Sequence, residues 1–439
     1  MSLKSPSLPI RNNRFGFHYF EDSEHYRDYD LAIWLPVLQS LGSSWTLLQA
    51  PSSRAIPESF ITGLVQGSVE PVLHFPSSIG NLPSPSDLAP LLSSYQRWGC
   101  HLVVFFDRVN SHASWPVAGW THEDLVDRFL DHFLPYAAIA LQNGLIPVLP
   151  PLQPGGDYWD TAFLRSTLEA LERRKQTQLL ESLVLSAYGW THAHDFNWGI
   201  GGPERWPEAR PYFTPDGTQD HLGLRISDWY QAVASAVLQK NCPLILLQLG
   251  QAEDPHKNQA VDVEQQTKTN LALGHLLNGE EFNGYEPLSS SILAGMFWKL
   301  APSGKDPEGN TWFEEDGTPA GFVPDWQTWV KGLDTTSSQA KSFQVTGGTS
   351  RPLTHYLLLP HPDAGLFEWQ WDALRPFVRK EAPTIGFSIL EAALANRVTV
   401  LGGEDEFPEE ILNQLRSNGC WVERISGSGT DVATYLAER

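Results

Sequence analysis

Eight times before residue 300, a short apolar run gives way to a polar stretch and then to an amphipathic one. The apolar runs are RFGFHYF (14–20), SWTLLQA (44–50), EPVLHF (70–75), HLVVFF (101–106), LIPVLP (145–150), SLVLSAY (182–188), PLILLQL (243–249) and ILAGMFW (292–298). Each has the length of a buried strand. Between them, stretches such as DLAPLLSSYQRWG, EDLVDRFLDHFLPYAAIALQNG and TAFLRSTLEALERR place apolar side chains three and four residues apart. Several stop at glycine, as helices do. Strands that are apolar along their length and alternate with helices imply a parallel sheet with both faces covered. Eight such units predict an α/β chain that closes into a (β/α)8 TIM barrel, here over 10–332.

That fold gathers function at the C-terminal ends of its strands. The loops after the fourth to seventh strands are long, which is usual for functional loops. The longest runs from Gly189 to about Arg225 and contains WTHAHDFNWGIGGPERWPEARPYFTPDGTQD. The chain carries 17 tryptophans, and Trp115, Trp120, Trp159, Trp190, Trp198 and Trp206 all fall in polar, Gly/Pro-rich loops. Indoles in such places either stack on the flat faces of sugar rings or pin long loops to the barrel. Both readings stay open.

With 51 acidic against 30 basic residues, the chain has a formal net charge of -21. Such a surface repels phosphate backbones and anionic lipid, so nucleic acid is not an expected partner. Neither is membrane insertion, because no run of about 18 apolar residues occurs. The N-terminus, MSLKSPSLPIRNNRFGFHYF, lacks the apolar stretch of a signal peptide. The compartment is left open between the cytoplasm and an exported form without its signal. Cys100, Cys242 and Cys420 are far apart and form no CxxC pair, so neither a zinc knuckle nor a disulfide framework is expected. Buried thiols are the reading for Cys100 and Cys242. No cofactor is expected: no Gly-rich phosphate loop follows a barrel strand, and no GxSxG elbow occurs. The run THAHD, with His192, His194 and Asp195, is too little for a metal site without a second cluster of ligands. The sequence does not give the oligomeric state.

Residues 333–352, LDTTSSQAKSFQVTGGTSRP, read as a linker rich in Ser, Thr and Gly. A smaller α/β pattern follows over 353–439, with strands THYLLLP (354–360), NRVTVLGG (396–403) and CWVERISG (420–427). It reads as a small doubly wound, flavodoxin-like module. The stretch RVTVLGGEDEFPEEILNQLRSNGCWVERISGSGTDVATYLAE resembles a bacterial type 2 cell-wall-binding repeat. In that family a strand ends in Gly-Gly and a later strand in Arg-Ile-x-Gly. The sequence departs from the pattern at SGSGTD, where the family has Asp-Arg-Tyr. The family carries its repeats in threes, and a single one is present here. The resemblance implies a cell-wall polymer as partner; the alternative is a module that only packs on the barrel.

The barrel resembles the clan A glycoside hydrolases, in architecture more than in motif. That clan ends strand four in Asn-Glu, where the Glu is the acid/base, and strand seven in a nucleophilic Glu. On this pattern Asp107, after Phe106 in HLVVFFDRVNSHASW, falls at the acid/base position. Gln248 in PLILLQLG falls at the nucleophile position. A carboxamide cannot attack as a carboxylate does, although it can hold a hydroxyl or orient a water. The retaining pair, two carboxyls about 5 Å apart, is therefore broken.

Three routes remain. Asp107 could work with a loop carboxylate as an inverting pair about 6.5–9.5 Å apart. The candidates are Asp157 and Asp160 in PPLQPGGDYWD, Glu204 in GGPERW, and Glu253 or Asp254 beyond Gln248. Alternatively, the substrate's own N-acetyl group attacks, oriented by Gln248 and assisted by Asp107 as acid. In the third route the site binds sugar without cutting it. Each residue also has a plainer role. Asp107 pairs with Arg108 at the rim, Asp157 and Asp160 cap helices, Glu204 bridges to Arg205 or Arg210, and Glu253 is solvated. His18, His74, Asn110, Trp115, Tyr188, Trp190 and Trp298 complete the expected carbohydrate-binding set. Two functions stand side by side: a glycoside-hydrolase-like enzyme acting on a polysaccharide or glycoconjugate, and a non-catalytic carbohydrate- or wall-binding protein.

Overall fold

Eight parallel strands carry the first part of the chain: β1 (Phe15–His18), β2 (Trp45–Gln49), β3 (Glu70–Phe75), β4 (Leu102–Phe105), β5 (Ile146–Val148), β6 (Leu185–Trp190), β7 (Leu244–Gly250) and β8 (Ile292–Phe297). The structure, a computed structural model, describes residues 13–121, 123–191, 194–250, 263–303, 311–337, 353–360, 375, 377–386, 389–404, 407–417 and 419–425. Each strand overlaps the apolar run expected for it. β6 differs most, starting at Leu185 and running on to Trp190, because its ladder with β7 continues to the pair Trp190–Gly250. The sheet order is β5-β4-β3-β2-β1-β8-β7-β6. Its two ends meet through a parallel bridge between Val148 and Val184. The Leu149 amide donates to Val184 O at 2.9 Å and the Ser186 hydroxyl to Leu149 O at 2.5 Å, and these bonds close the ring. The fold is a parallel (β/α)8 barrel.

Alternation along each strand decides what fills it, since successive side chains point to opposite faces. Trp45 and Leu47 of β2, Val72 of β3, Leu102 and Val104 of β4, and Ala294 and Met296 of β8 meet in one buried cluster with Val148, Val184, Ile245 and Leu247. Burying each of the larger side chains contributes about 1.5–3 kcal/mol. The packing is tight enough to require Gly16 in β1. A Cβ there would lie 2.3 Å from Met296 Sδ and 2.9 Å from Trp45 Cβ. One step further along the same inward rows the residues turn polar or aromatic: His18 after Gly16, Gln49 after Leu47, His74 after Val72, Trp298 after Met296. The apolar plug therefore ends below a polar floor at the C-terminal rim.

The long loop after β6 is pinned to the helices beneath it by a buried carboxylate. Asp160, in the first turn of the helix Asp160–Arg173, is fully buried. Its Oδ1 accepts from the Gly155 amide at 3.0 Å and lies 2.7 Å from His221 Nε2, while Oδ2 accepts from the Tyr230 hydroxyl at 2.9 Å. Tyr230 lies in the helix Ile226–Leu238 and His221 in the loop before it. Loop tryptophans tie the loop to itself: Trp198 Nε1 donates to Asp220 Oδ1 at 2.9 Å and Trp206 Nε1 to Ile200 O at 3.0 Å.

The chain divides into two units between Lys331 and Gly332. The helix Val323–Ser337 takes up the first five positions of the segment expected as a linker, and 338–352 lie outside the described residues. The second unit is a parallel sheet of β9 (Leu353–Leu358), β10 (Thr384–Gly386), β11 (Ala395–Leu401) and β12 (Trp421–Ile425), in the order β10-β9-β11-β12. Tyr356 and Leu358 pack with Val398, Val400 and Leu412, while Leu357 and Leu359 pack with Phe377 and Ile425, so both faces of the sheet carry a core. β10 was not expected; it spans only three residues and its side chains are mostly exposed. The wall-repeat-like stretch beyond Ile425 lies outside the described residues. Cys100, Cys242 and Cys420 are all buried.

Replacing Asp160 by Ala strands two buried donors, and each such loss costs about 1–3 kcal/mol. Asp160→Ala is expected to lower the urea midpoint of the barrel by an amount equivalent to about 2–6 kcal/mol. A midpoint within error of the wild type would contradict this role for the carboxylate.

Candidate functional site

Above the polar floor lies an open hollow of about 450 Å3, counted with its mouth. Strands β1, β2, β3, β6, β7 and β8 reach it with His18, Gln49, His74, Tyr188, Gln248 and Trp298. The loop after β4 adds Asp107 and Arg108, and the segment after β1 adds Glu21.

Asp107 is held in an unusual backbone. Phe106 has φ 68° and Arg108 has φ 47°, so two non-glycine residues in the left-handed region flank it. Such conformations cost of order 1–3 kcal/mol each and persist only where neighbours enforce them. Here the Phe106 amide donates to Phe75 O (3.0 Å), the Arg108 amide to Pro151 O (2.9 Å), and the Ser114 hydroxyl to Asp107 O (2.9 Å). The side chain turns back toward the barrel. The buried Tyr188 hydroxyl donates to Oδ1, and Arg108 Nε donates to Oδ2 at 3.0 Å. Burial first, and then the Asp107 charge, push the Tyr188 phenol well above its ordinary range, so it stays a donor. Both oxygens thus accept from a donor.

Gln248 reaches the hollow through an irregularity in β7. The inward row of that strand contains Ile245 and Leu247, so Gln248 would face outward in a regular strand. The register slips between β6 and β7: Ala187 pairs with Leu246, but Tyr188 pairs with Gln248. One extra residue in β7 re-aims the side chain, as bulges next to sites do, and both Leu247 and Gln248 line the hollow. Trp190 Nε1 donates to Gln248 Oε1 at 3.0 Å, which turns the amide's NH2 into the end available as donor. Trp190 itself stacks on Tyr188, with centroids 4.6 Å apart and 7° between planes.

Two imidazoles complete the floor. His74 Nε2 lies 3.0 Å from Phe106 O. Burial lowers the His74 pKa, against the opposing pull of Asp107. His18 is lowered to about 3 by burial first, then by His74 and Lys299. Both are neutral at ordinary pH. The Nδ1 of His18 has no hydrogen-bond partner among the described residues, and the ring meets the Trp298 indole edge-on at 4.6 Å.

Other expected site residues lie elsewhere. Asn110 is fully buried and joins the β4 and β5 loops: its side-chain amide donates to Gln153 O (2.9 Å) and Tyr158 O (2.8 Å), and Oδ1 accepts from the Gln153 amide (2.7 Å). Trp115 is buried and its Nε1 donates to Val109 O at 2.7 Å. Asp157 Oδ2 accepts from the His112 amide (2.7 Å) and the Ser111 hydroxyl (3.2 Å), within the same rim loops. Glu204 is exposed on the short helix Gly202–Arg205, where Arg205 lies over the Trp206 ring at 5.7 Å. Glu253 and Asp254 lie outside the described residues, as does His192. His194 stacks on Trp198 at 4.1 Å, and among the described residues no group of three His, Cys, Asp or Glu is placed to hold a metal.

Sequence reasoning missed Glu21, Gln49 and Lys299. Glu21 and Lys299 each directly follow an apolar run, which is where this fold puts function. Lys299 Nζ donates to Glu21 Oε2 at 2.6 Å.

No protein-family model matches the chain, and no curated protein matches it. Among solved structures, the chain is similar to a GH39 enzyme from Xanthomonas axonopodis pv. citri, with 10% identity over 75% of this chain and 67% of that one and a TM-score of 0.46. A family 51 alpha-L-arabinofuranosidase from Bifidobacterium longum gives 9% identity, 74% of each chain and a TM-score of 0.43. A GH128 endo-beta-1,3-glucanase from Sorangium cellulosum gives 14% identity, 72% of this chain, 96% of that one and 0.39. All three scores lie below 0.5, and the barrel assignment rests on the strand register.

The depressed imidazole sets a pH dependence. Above its ordinary pKa of 6.5, His18 is neutral both folded and unfolded. As pH falls from 6.5 toward about 3, the unfolded chain takes a proton that the fold refuses, so stability falls; below about 3 this loss stops growing. His74 acts in the same sense. Urea midpoints measured from pH 7 to pH 4 are expected to fall less steeply in His18→Gln than in the wild type. Parallel slopes would show that the imidazole contributes nothing.

Proposed function

We propose that the barrel takes a carbohydrate chain into the rim hollow and acts on it as a glycoside-hydrolase-like protein, with Asp107 as the reacting carboxylate. One observation carries the reading: Asp107 lines one rim hollow with Gln248, from the far side of the barrel, and with the half-buried Trp298 indole. An indole face beside hydrogen-bonding groups of both kinds suits a ring with hydroxyls on its edge.

The contacts of Asp107 favour a base over an acid. Its partners are a phenol and a guanidinium, both donating. As base it takes a proton from water while the water oxygen bonds to the anomeric carbon and the glycosidic C–O bond breaks. Gln248, its Oε1 fixed by Trp190, holds a hydroxyl or the carbonyl of an N-acetyl group with its NH2. The two neutral imidazoles supply no acid for the leaving oxygen. Glycosides whose leaving group departs unprotonated are therefore the favoured substrates.

The same lack of an evident acid supports a second reading, a barrel that binds carbohydrate without cleaving it. Aryl glycosides and cell-wall polysaccharides, assayed in parallel for turnover and for binding, separate the two. Under the enzyme reading Asp107→Asn lowers kcat about 10²–10⁴-fold and leaves binding in place. Ligand binding with no turnover in the wild type, unchanged by Asp107→Asn, rejects it. Gln248→Glu adds a third carboxyl to the hollow, beside Asp107 and Glu21, and is expected to alter turnover or ligand selectivity; no change in either would count against Gln248 touching the ligand. For the second unit we keep the doubly wound, flavodoxin-like reading, which its strand order supports. A wall polymer is its proposed partner, tested by cosedimentation of the whole chain with cell-wall sacculi.

A further inference from the structure

The rim of the hollow carries a second carboxylate clamped by a cation. Glu21 follows β1 and Lys299 follows β8, and these strands are paired neighbours, with Phe17 opposite Phe297. Lys299 Nζ lies 2.6 Å from Glu21 Oε2. The ammonium side chain is only 9% exposed whereas the carboxylate is 40% exposed, so the cation anchors from below and the acid faces the opening. Lys299 Nζ also lies 5.5 Å from the centroid of the Trp298 ring. The same indole makes a T-shaped contact with His18, and the Nδ1 of that buried imidazole has no hydrogen-bond partner among the described residues.

We infer that Glu21, held by Lys299 beside Trp298, determines specificity, accepting from two adjacent hydroxyls of a neutral sugar ring and disfavouring acidic sugars. The inference rests on the reading of the hollow as a carbohydrate site and adds the class of sugar.

The chemistry follows from the donors and acceptors present. A carboxylate has two oxygens and accepts from two hydroxyls at once, while the buried Lys299 fixes its orientation. Two neighbouring hydroxyls of a vicinal diol meet that need. Such charge-assisted bonds are the strong ones. Trp298 offers an apolar face on which the ring that carries the diol can rest. The charges explain the exclusion. Glu21 is matched by Lys299 and Asp107 by Arg108, and the two imidazoles are neutral. A uronate would bring a carboxylate into a hollow whose cations already have partners, on a chain of formal net charge -21.

The test is calorimetric titration of the whole chain with a neutral oligosaccharide, its single-deoxy analogues and the matching uronate. The wild type is expected to lose about ten- to a hundredfold in affinity for the two analogues that lack neighbouring hydroxyls, the range for a hydrogen bond to a charged group. The uronate is expected to bind at least about tenfold more weakly than the parent. Glu21→Gln should weaken the parent and stop distinguishing those two analogues from it. Because Glu21→Gln leaves Lys299 uncompensated, the double variant Glu21→Gln/Lys299→Met, which removes both charges, is titrated too. If the wild type binds neutral sugar and both variants keep its affinity and deoxy profile, the inference is overturned while the site reading stands. If the wild type binds no sugar of either kind, the site reading falls and this inference with it.

Discussion

The site depends on how one carboxylate is held. Asp107 sits between two left-handed residues at the end of β4, with its backbone tied to β3, to the loop after β5 and to Ser114. The strain is offset by those bonds, and the side chain meets Tyr188 of β6, two strands around the ring. Tyr188 is in turn backed by the Trp190 indole, which fixes the amide of Gln248. Acid, phenol, indole and amide form one connected chain of contacts across the mouth of the barrel. Its geometry requires the β7 irregularity, without which Gln248 would face away.

The electrostatics follow the same economy. Each carboxylate that lines the hollow has its own cation, and each imidazole on the floor is kept neutral by burial. A pocket built this way holds polar groups in place without a net local charge. That suits recognition of uncharged polyols, and it gives a base more readily than an acid.

Much of the fold was legible because buried parallel strands have to be apolar along their whole length, and eight such runs leave little alternative to a barrel. The floor was legible too: His18, His74 and Trp298 end inward rows that begin with Gly16, Val72 and Met296. Asp107, named from its place on the clan pattern after strand four, lines the hollow. What escaped has physical reasons. The slip that re-aims Gln248 is a property of pairing between strands, and no spacing in PLILLQLG records it. Glu21 and Lys299 directly follow their apolar runs, but a charge after a strand is common, and only the 2.6 Å contact brings these two together. Loop residues were the hardest to separate. Asp157, Asn110 and Trp115 have the chemistry of ligand groups, yet each is engaged by loop backbone, and sequence does not distinguish a pin from a platform. In the second unit β10 was missed because three mostly exposed residues carry no alternation to read.

A crystal structure of the whole chain soaked with a neutral oligosaccharide tests the central claim most directly. The account predicts a sugar ring in the rim hollow, resting against the Trp298 indole with a hydroxyl or its anomeric carbon facing Asp107. A sugar bound elsewhere while this hollow stays unfilled, or a filled hollow with Asp107 turned from the ligand, would contradict it.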